Sequence, residues 1–190
     1  MTQNTNKAPQ KIDHPTFAVV KSAFPNSTFQ ATQFRDQPIL VVQPEDLHKV
    51  MTFLKNDERC VYDFCSDVAG IDYLGYPSKT GGRFGVVYNL CSYSRTDRFF
   101  VKVFLDPTLP TDGIENDPAL VLESVCDLWP GAEWNEREVF DMFGIRFNNH
   151  PDLRRILLWE DFPAHPLRKD YPLRGRGERE DYRIVDRTSS

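Results

Sequence analysis

The chain has 190 residues, 40% of them apolar and 27% charged, enough to bury one core, which argues for a single domain with appendages. No run of 18 apolar residues occurs, and the start, Met1-Thr2-Gln3-Asn4-Thr5-Asn6-Lys7, has neither a signal-peptide apolar region nor an Arg-rich amphipathic pattern, so neither a membrane span nor an export or transit signal is expected. The net charge of −5 is uneven: Met1 to Ile145 hold 13 Lys/Arg against 20 Asp/Glu, whereas Arg146 to Ser190 hold 10 against 8, so an acidic body carries a mildly basic tail.

Residues 1–12 are polar and expected to be loose. Phe17, Val20 and Phe24 recur at spacings of three and four, predicting a short amphipathic helix from Pro15 to Phe24 that Pro25-Asn26-Ser27 ends. Thr28 to Arg35 and Pro38 to Gln43 predict a hairpin. Pro44-Glu45-Asp46-Leu47 opens a second helix, with acids in its first turn and Leu47, Val50, Met51 and Leu54 on one stripe. Tyr62 to Phe64 and Val68 to Leu74 read as extended, with Gly70 marking a bulge or bend.

The clearest strand pair follows. Phe84, Val86, Tyr88 and Leu90 alternate, as do Phe99, Val101, Val103 and Leu105, across a polar connection from Ser92 to Asp97. Pro107 to Asp117 is predicted as a loop, Pro118 to Leu128 as a helix, and Ala132 to Phe143 as another helix that Gly144 ends in the left-handed region. The sum is an α+β fold, a mostly antiparallel sheet with helices on one face, over residues 13–147. Beyond it Pro151, Pro163, Pro166 and Pro172 recur too often for helix or central strand, so residues 148–190 are predicted to run extended, as an interaction segment without a core of its own.

The four cysteines, Cys60, Cys65, Cys91 and Cys126, form no Cys-x-x-Cys pair, so the spacing common to iron–sulfur and zinc sites is missing. Glu136, Glu138 and Asp141 on one helix raise the thought of a catalytic carboxylate pair, Glu138 with Asp141. Arg137, four residues before Asp141, offers a plainer salt-bridge reading. His150 and His165 each precede Pro and lack helical ligand spacing, which suits turn residues bonded to backbone. Phosphate loops, nucleophile elbows and dinucleotide fingerprints are absent from the sequence. Gly175-Arg176-Gly177 is followed by four acids between Glu178 and Asp186, which argues against nucleic acid. Arg154, Arg155, Trp159, Phe162, Arg168, Tyr171, Arg174 and Tyr182 make the tail rich in the residue types that anchor protein contacts.

These residues resemble a known family. Glu136-Arg137-Glu138-Val139-Phe140-Asp141-Met142-Phe143-Gly144-Ile145, Phe147-Asn148-Asn149-His150-Pro151-Asp152-Leu153-Arg154-Arg155-Ile156-Leu157 and His165-Pro166-Leu167-Arg168-Lys169-Asp170-Tyr171-Pro172-Leu173 are similar to the 30-kilodalton-type hydrophilic subunit of proton-pumping NADH:quinone oxidoreductase, respiratory complex I. Asp67 to Tyr73 and Val86 to Leu90 add weaker likeness.

The resemblance implies a scaffold subunit of the peripheral arm, with a C-terminal tail that wraps the quinone-site subunit and touches neighbouring cluster-bearing subunits. It implies no cofactor, metal or catalytic residue in this chain, with FMN and iron–sulfur clusters held by partners that pass electrons from NADH to quinone, coupled to proton translocation. The place implied is the cytoplasmic face of the bacterial inner membrane, or the matrix or stroma side in an organelle. Glu136, Arg137, Glu138, Asp141, His150, Asp152, Arg154, Arg155, His165, Arg168, Lys169 and Tyr171 become the expected partner interface. Replacing Arg154 and Arg155 together would then impair assembly and leave the isolated domain folded. The alternatives are a homologous subunit of a ferredoxin- or hydrogenase-linked relative, and an independent small enzyme using Glu138 and Asp141.

Overall fold

The structure, a computed structural model, describes residues 14–178; residues 1–12, expected to be loose, and the end of the tail, Tyr182 included, fall outside the described residues. Its centre is the strand pair that alternation predicts, β4 (Phe84–Ser92) and β5 (Asp97–Leu105), antiparallel with Val86 opposite Val103 and Tyr88 opposite Val101. Phe84, Val86, Tyr88, Leu90, Phe99, Val101, Val103 and Leu105 are all buried on one face.

The hairpin β1 (Gln30–Phe34) and β2 (Gln37–Val42) turns through Arg35 and Asp36. Both have positive φ, 47° and 64°, the handedness that follows the twist of paired strands. β2 then lies parallel to β5, and β3 (Phe64–Asp72) lies antiparallel to β4, giving the order β1-β2-β5-β4-β3, in which the β2–β5 pairing is parallel and the others are antiparallel.

Helices α1 (Pro15–Ala23), α2 (Leu47–Asn56) and α3 (Ala132–Phe143) cover the buried face. α2 buries Leu47, Val50, Met51 and Leu54 and is entered by a 3-10 turn at Pro44–Asp46. α3 buries Ala132, Val139, Met142 and Phe143. Gly70 is not a bulge: it pairs regularly with Val86, and the register shift lies between Cys65 and Asp67. Gly70 serves packing, since a Cβ there would strike the Phe143 ring.

The predicted helix from Pro118 to Leu128 is corrected. The segment is a set of turns around a short strand, β6 (Val121–Glu123), which runs parallel to β7 (Arg146–Asn148) in a second, two-stranded sheet. Of the helical stripe Leu120, Val121, Val125 and Leu128, three residues are buried, while Val121 is half-buried and Leu122 goes inward in its place, so the burial was legible in part and the backbone form was not. Asp117 favours the turn: its carboxylate accepts bonds from the Thr108 N–H and hydroxyl and from the Leu109 and Ala119 N–H groups. Burial alone would raise its pKa, and these donors pull it down to about 2.

The tail is also corrected. Residues 149–178 hold no regular helix or strand, as the prolines predict, yet the segment does have an internal core, because Phe162, Ala164, His165 and Arg168 are buried against the body of the same chain.

Candidate interface at the C-terminal end of α3

A helix ends with carbonyls that have no partner within it. α3 stops at Gly144, whose φ of 73° sets the left-handed cap and whose N–H bonds Phe140 O at 2.8 Å. The tail supplies the remaining donors. The His165 Nδ1–H reaches Asp141 O at 2.9 Å, the Leu167 N–H reaches Met142 O at 3.2 Å, and Arg168 Nε donates to Phe143 O at 2.7 Å. Gly144 makes this approach feasible, for a Cβ there would overlap His165 and Arg168.

Arg168 thus sets a buried cation against the negative end of the helix dipole. It also donates to Thr111 O at 2.9 Å. His165 beside it is a neutral donor: burial first drives its imidazole down to about 4, and the charges of Arg168 and Arg155 add to this against the bond to Asp141 O.

Asp141 is the hub on the helix. Its carboxylate is fully buried; it accepts from Arg155 Nη1 at 2.7 Å and from the N–H groups of Ile156, Leu157 and Leu158 at 3.1, 2.8 and 3.0 Å. Burial opposes ionisation, but the Leu158 N–H, the Arg155 guanidinium and the other two N–H groups hold the pKa below the usual carboxylate range. Arg155 Nη2 also donates to Phe162 O and Ala164 O, tying two stretches of tail together.

Arg137 does not pair with Asp141. It donates instead to Arg154 O and Arg155 O and lies over the Trp134 ring at 5.0 Å. The reason is direction: Asp141 points into the tail, where a cation and three amides converge on it.

A second fastening sits at the sheet edge. Buried Asp72 accepts from Arg83 and from the Lys169 N–H at 2.8 Å, and Arg83 also donates to Asp170 at 2.8 Å. Thr111 donates to the same Asp170 carboxylate. Asp72, Arg83 and Thr111 were missed as site residues because their partners lie up to 97 positions away. The family likeness of the segments holding Asp72 and Lys169 was the one trace of this union in the sequence.

Of the twelve expected interface residues, Glu136, Arg137, Asp141, His165 and Arg168 are buried in this chain; Arg155, His150 and Tyr171 are half-buried; Glu138, Asp152, Arg154 and Lys169 are exposed. Glu138 and Asp141 therefore do not share a site. Glu136 accepts from Ser124 Oγ at 2.6 Å, the Val125 N–H at 2.9 Å and Cys126 Sγ at 3.3 Å, and burial raises its pKa in spite of them. His150 Nδ1 accepts the Asp152 N–H at 3.1 Å, the backbone turn that a His-Pro step suggests.

Residues 40–177 match the family described as "Respiratory-chain NADH dehydrogenase, 30 Kd subunit". The chain belongs to this family. Its relatives include an NADH-quinone oxidoreductase subunit of Geobacter metallireducens, 43% identical over 168 residues, 87% of this chain and 94% of the relative. The like-named subunit of Trichlorobacter lovleyi is 41% identical over 180 residues, 95% of this chain and 96% of its own. A solved structure titled as a trypsin-resistant fragment of Nqo5 superposes with a TM-score of 0.55 at 31% identity, covering 73% of this chain and 98% of its own. Within the family match lie Asp72, Asp141, Arg155, His165 and Arg168, the residues that fasten the tail. No helix among the described residues is long and apolar enough to cross a membrane.

Proposed function

We propose that this chain is a scaffold subunit of the peripheral arm of an NADH:quinone oxidoreductase on the cytoplasmic face of the inner membrane. It docks through its C-terminal segment on the quinone-site subunit and on neighbouring cluster-bearing subunits. Flavin and iron–sulfur clusters belong to those neighbours, which carry electrons from NADH to quinone and couple them to proton translocation. No residue of this chain takes part in the chemistry.

The observation that carries this reading is the set of large apolar side chains that the tail leaves in water. Its charged and polar anchors, Arg155, His165 and Arg168, go inward, while Leu157, Trp159 and Leu173 go outward at 61%, 40% and 104% exposure. Trp134 on α3, beside the tail, is 62% exposed. A segment that served only to close its own domain would bury the large apolar side chains and leave the charges in water. Large exposed aromatic and aliphatic groups on a rigid, internally bonded support suit a surface that another protein covers. Relatives named as subunits of NADH-quinone oxidoreductase support the choice of complex.

Leu157→Asp with Trp134→Ala tests it. Native electrophoresis should show assembled complex reduced severalfold, while the thermal transition of the purified subunit stays at its wild-type temperature. Wild-type assembly with both changes in place rules out this surface as the docking face.

A further inference from the structure

Three groups that no spacing rule connects meet where the turn after β6 faces α3 and the residues after β7. Cys126 Sγ, a carboxylate oxygen of Glu136 and a ring nitrogen of His150 all lie within 4.8 Å of one another. Glu136 is fully buried and forms the rear wall, and Cys126 and His150 are half-buried, which leaves an ion a way in.

Zinc bonds to these ligand types at about 2.0–2.3 Å, so a tetrahedral ion sets its ligands roughly 3.4–3.8 Å apart. Cys126 Sγ and Glu136 Oε2, at 3.3 Å, stand a few tenths of an ångström short of one such edge. The carboxylate is held in place beforehand by Ser124 Oγ at 2.6 Å and the Val125 N–H at 2.9 Å, the kind of support that orients a ligand. The imidazole, within 4.8 Å of both, needs a shift of no more than roughly 1 Å to close the triangle.

The tautomer is set by its neighbours. Because the Asp152 N–H donates to Nδ1, the ring proton is on Nε2 and faces Glu133 O at 3.1 Å. Only Nδ1 has a free electron pair in this tautomer, so a metal bound there displaces the Asp152 N–H alone and leaves the Nε2 proton on Glu133 O, and binding competes with that hydrogen bond. Thiolate, carboxylate and neutral imidazole together match the charge of a divalent ion. In its absence burial raises the Glu136 carboxyl and pushes the Cys126 thiol up to about 12. Tyr88 is wholly buried and its hydroxyl has no partner among the described residues.

We propose that Cys126, Glu136 and His150 form an exchangeable zinc site, one that prefers thiophilic divalent ions to magnesium and calcium. As the Zn–S bond forms, the Cys126 thiol passes its proton to solvent. Soft sulfur with imidazole selects zinc, and oxygen-seeking ions lack a sufficient oxygen set here. This goes beyond the scaffold reading and does not depend on it.

The test is a Zn2+ titration of the full-length subunit against a chromophoric chelator, with Co2+ as the spectroscopic substitute. Wild-type chain should take up one Zn2+, and its Co2+ form should show a thiolate-to-metal charge-transfer band. Cys126→Ser should weaken Zn2+ binding by about tenfold or more and abolish the band, His150→Gln should weaken binding by about as much, and Cys91→Ser should change neither. A hundredfold excess of Mg2+ should not compete. The proposal is overturned by no Zn2+ uptake, by uptake indifferent to both ligand variants, or by a Co2+ form without the thiolate band. Circular dichroism confirms each variant's fold; should Cys126→Ser fail to fold, the wild-type Co2+ spectrum and His150→Gln decide the matter.

Discussion

Arg155 and Asp141 form an ion pair at 2.7 Å in which the carboxylate is wholly buried and the guanidinium only 10% exposed. Around it the tail and the end of α3 share one hydrogen-bond network, so each partner's removal strands the other. Breaking a buried pair in this way costs about 3–5 kcal/mol. Asp141→Ala should therefore lower the unfolding free energy of the isolated subunit by about that much, read from urea denaturation. A change below about 1 kcal/mol would show that water already screens the pair.

Arg154 and Arg155 are adjacent and unlike. Arg154 pairs with Asp152 at 2.9 Å with both side chains largely in solvent, 71% and 49% exposed. Arg154→Ala should shift the subunit's stability by about 0–1 kcal/mol, and Arg155→Ala by several times more. This revises the expectation that losing both leaves the lone domain intact. Separate thermal unfolding of the two single variants decides it, and equal effects would contradict the structure.

Gly144→Ala should loosen the tail. A non-glycine residue at a φ of 73° costs about 1–3 kcal/mol, and here its Cβ also overlaps His165 and Arg168. Limited trypsin digestion should cut the tail of this variant faster than wild type while β4 and β5 stay protected. Unchanged cleavage would mean that the tail does not rest on the helix end.

His165 should make the subunit sensitive to mild acid. Its folded value of about 4 lies below the ordinary 6.5, so between these values the unfolded chain binds a proton that the folded chain refuses. The contribution is complete above pH 6.5, declines as pH falls, and is gone near 4, a change of about 3 kcal/mol. Asp141, also depressed, extends the loss below the ordinary carboxylate value of 3.8. His165→Asn should flatten the upper part of this profile, measured as the urea midpoint against pH; a profile as steep as wild type would assign the acid sensitivity elsewhere.

The sheet and three of the four predicted helices were readable because their signal is local. Alternating apolar residues in β4 and β5 and the Leu47, Val50, Met51, Leu54 stripe of α2 each report one buried face. The stretch from Pro118 to Leu128 misled because Leu120, Val121, Val125 and Leu128 mimic helical spacing while Asp117 and the pairing of β6 with β7 fix other dihedrals. The Arg137 to Asp141 pairing failed for a similar reason, since spacing along a helix says nothing about what a tail brings to it. Asp72 with Lys169, and Cys126 with Glu136 and His150, are unions of distant segments. No window along the chain contains them.

The capping of α3 by its own tail has a consequence during synthesis. Phe143 leaves the ribosome 25 residues ahead of Arg168, the donor to its carbonyl, an interval of about 1–5 s at roughly 5–20 residues per second. Asp72 waits for Lys169 across 97 residues, correspondingly longer. A nascent chain therefore passes through a stage in which the sheet has formed and the helix end stands open, with a buried-type carboxylate at Asp141 still in water. Ribosome-bound chains from which Gly144 but not Arg155 has left the exit tunnel should hold that form, and a binding factor that acts early in assembly would meet this open helix end and not the closed one.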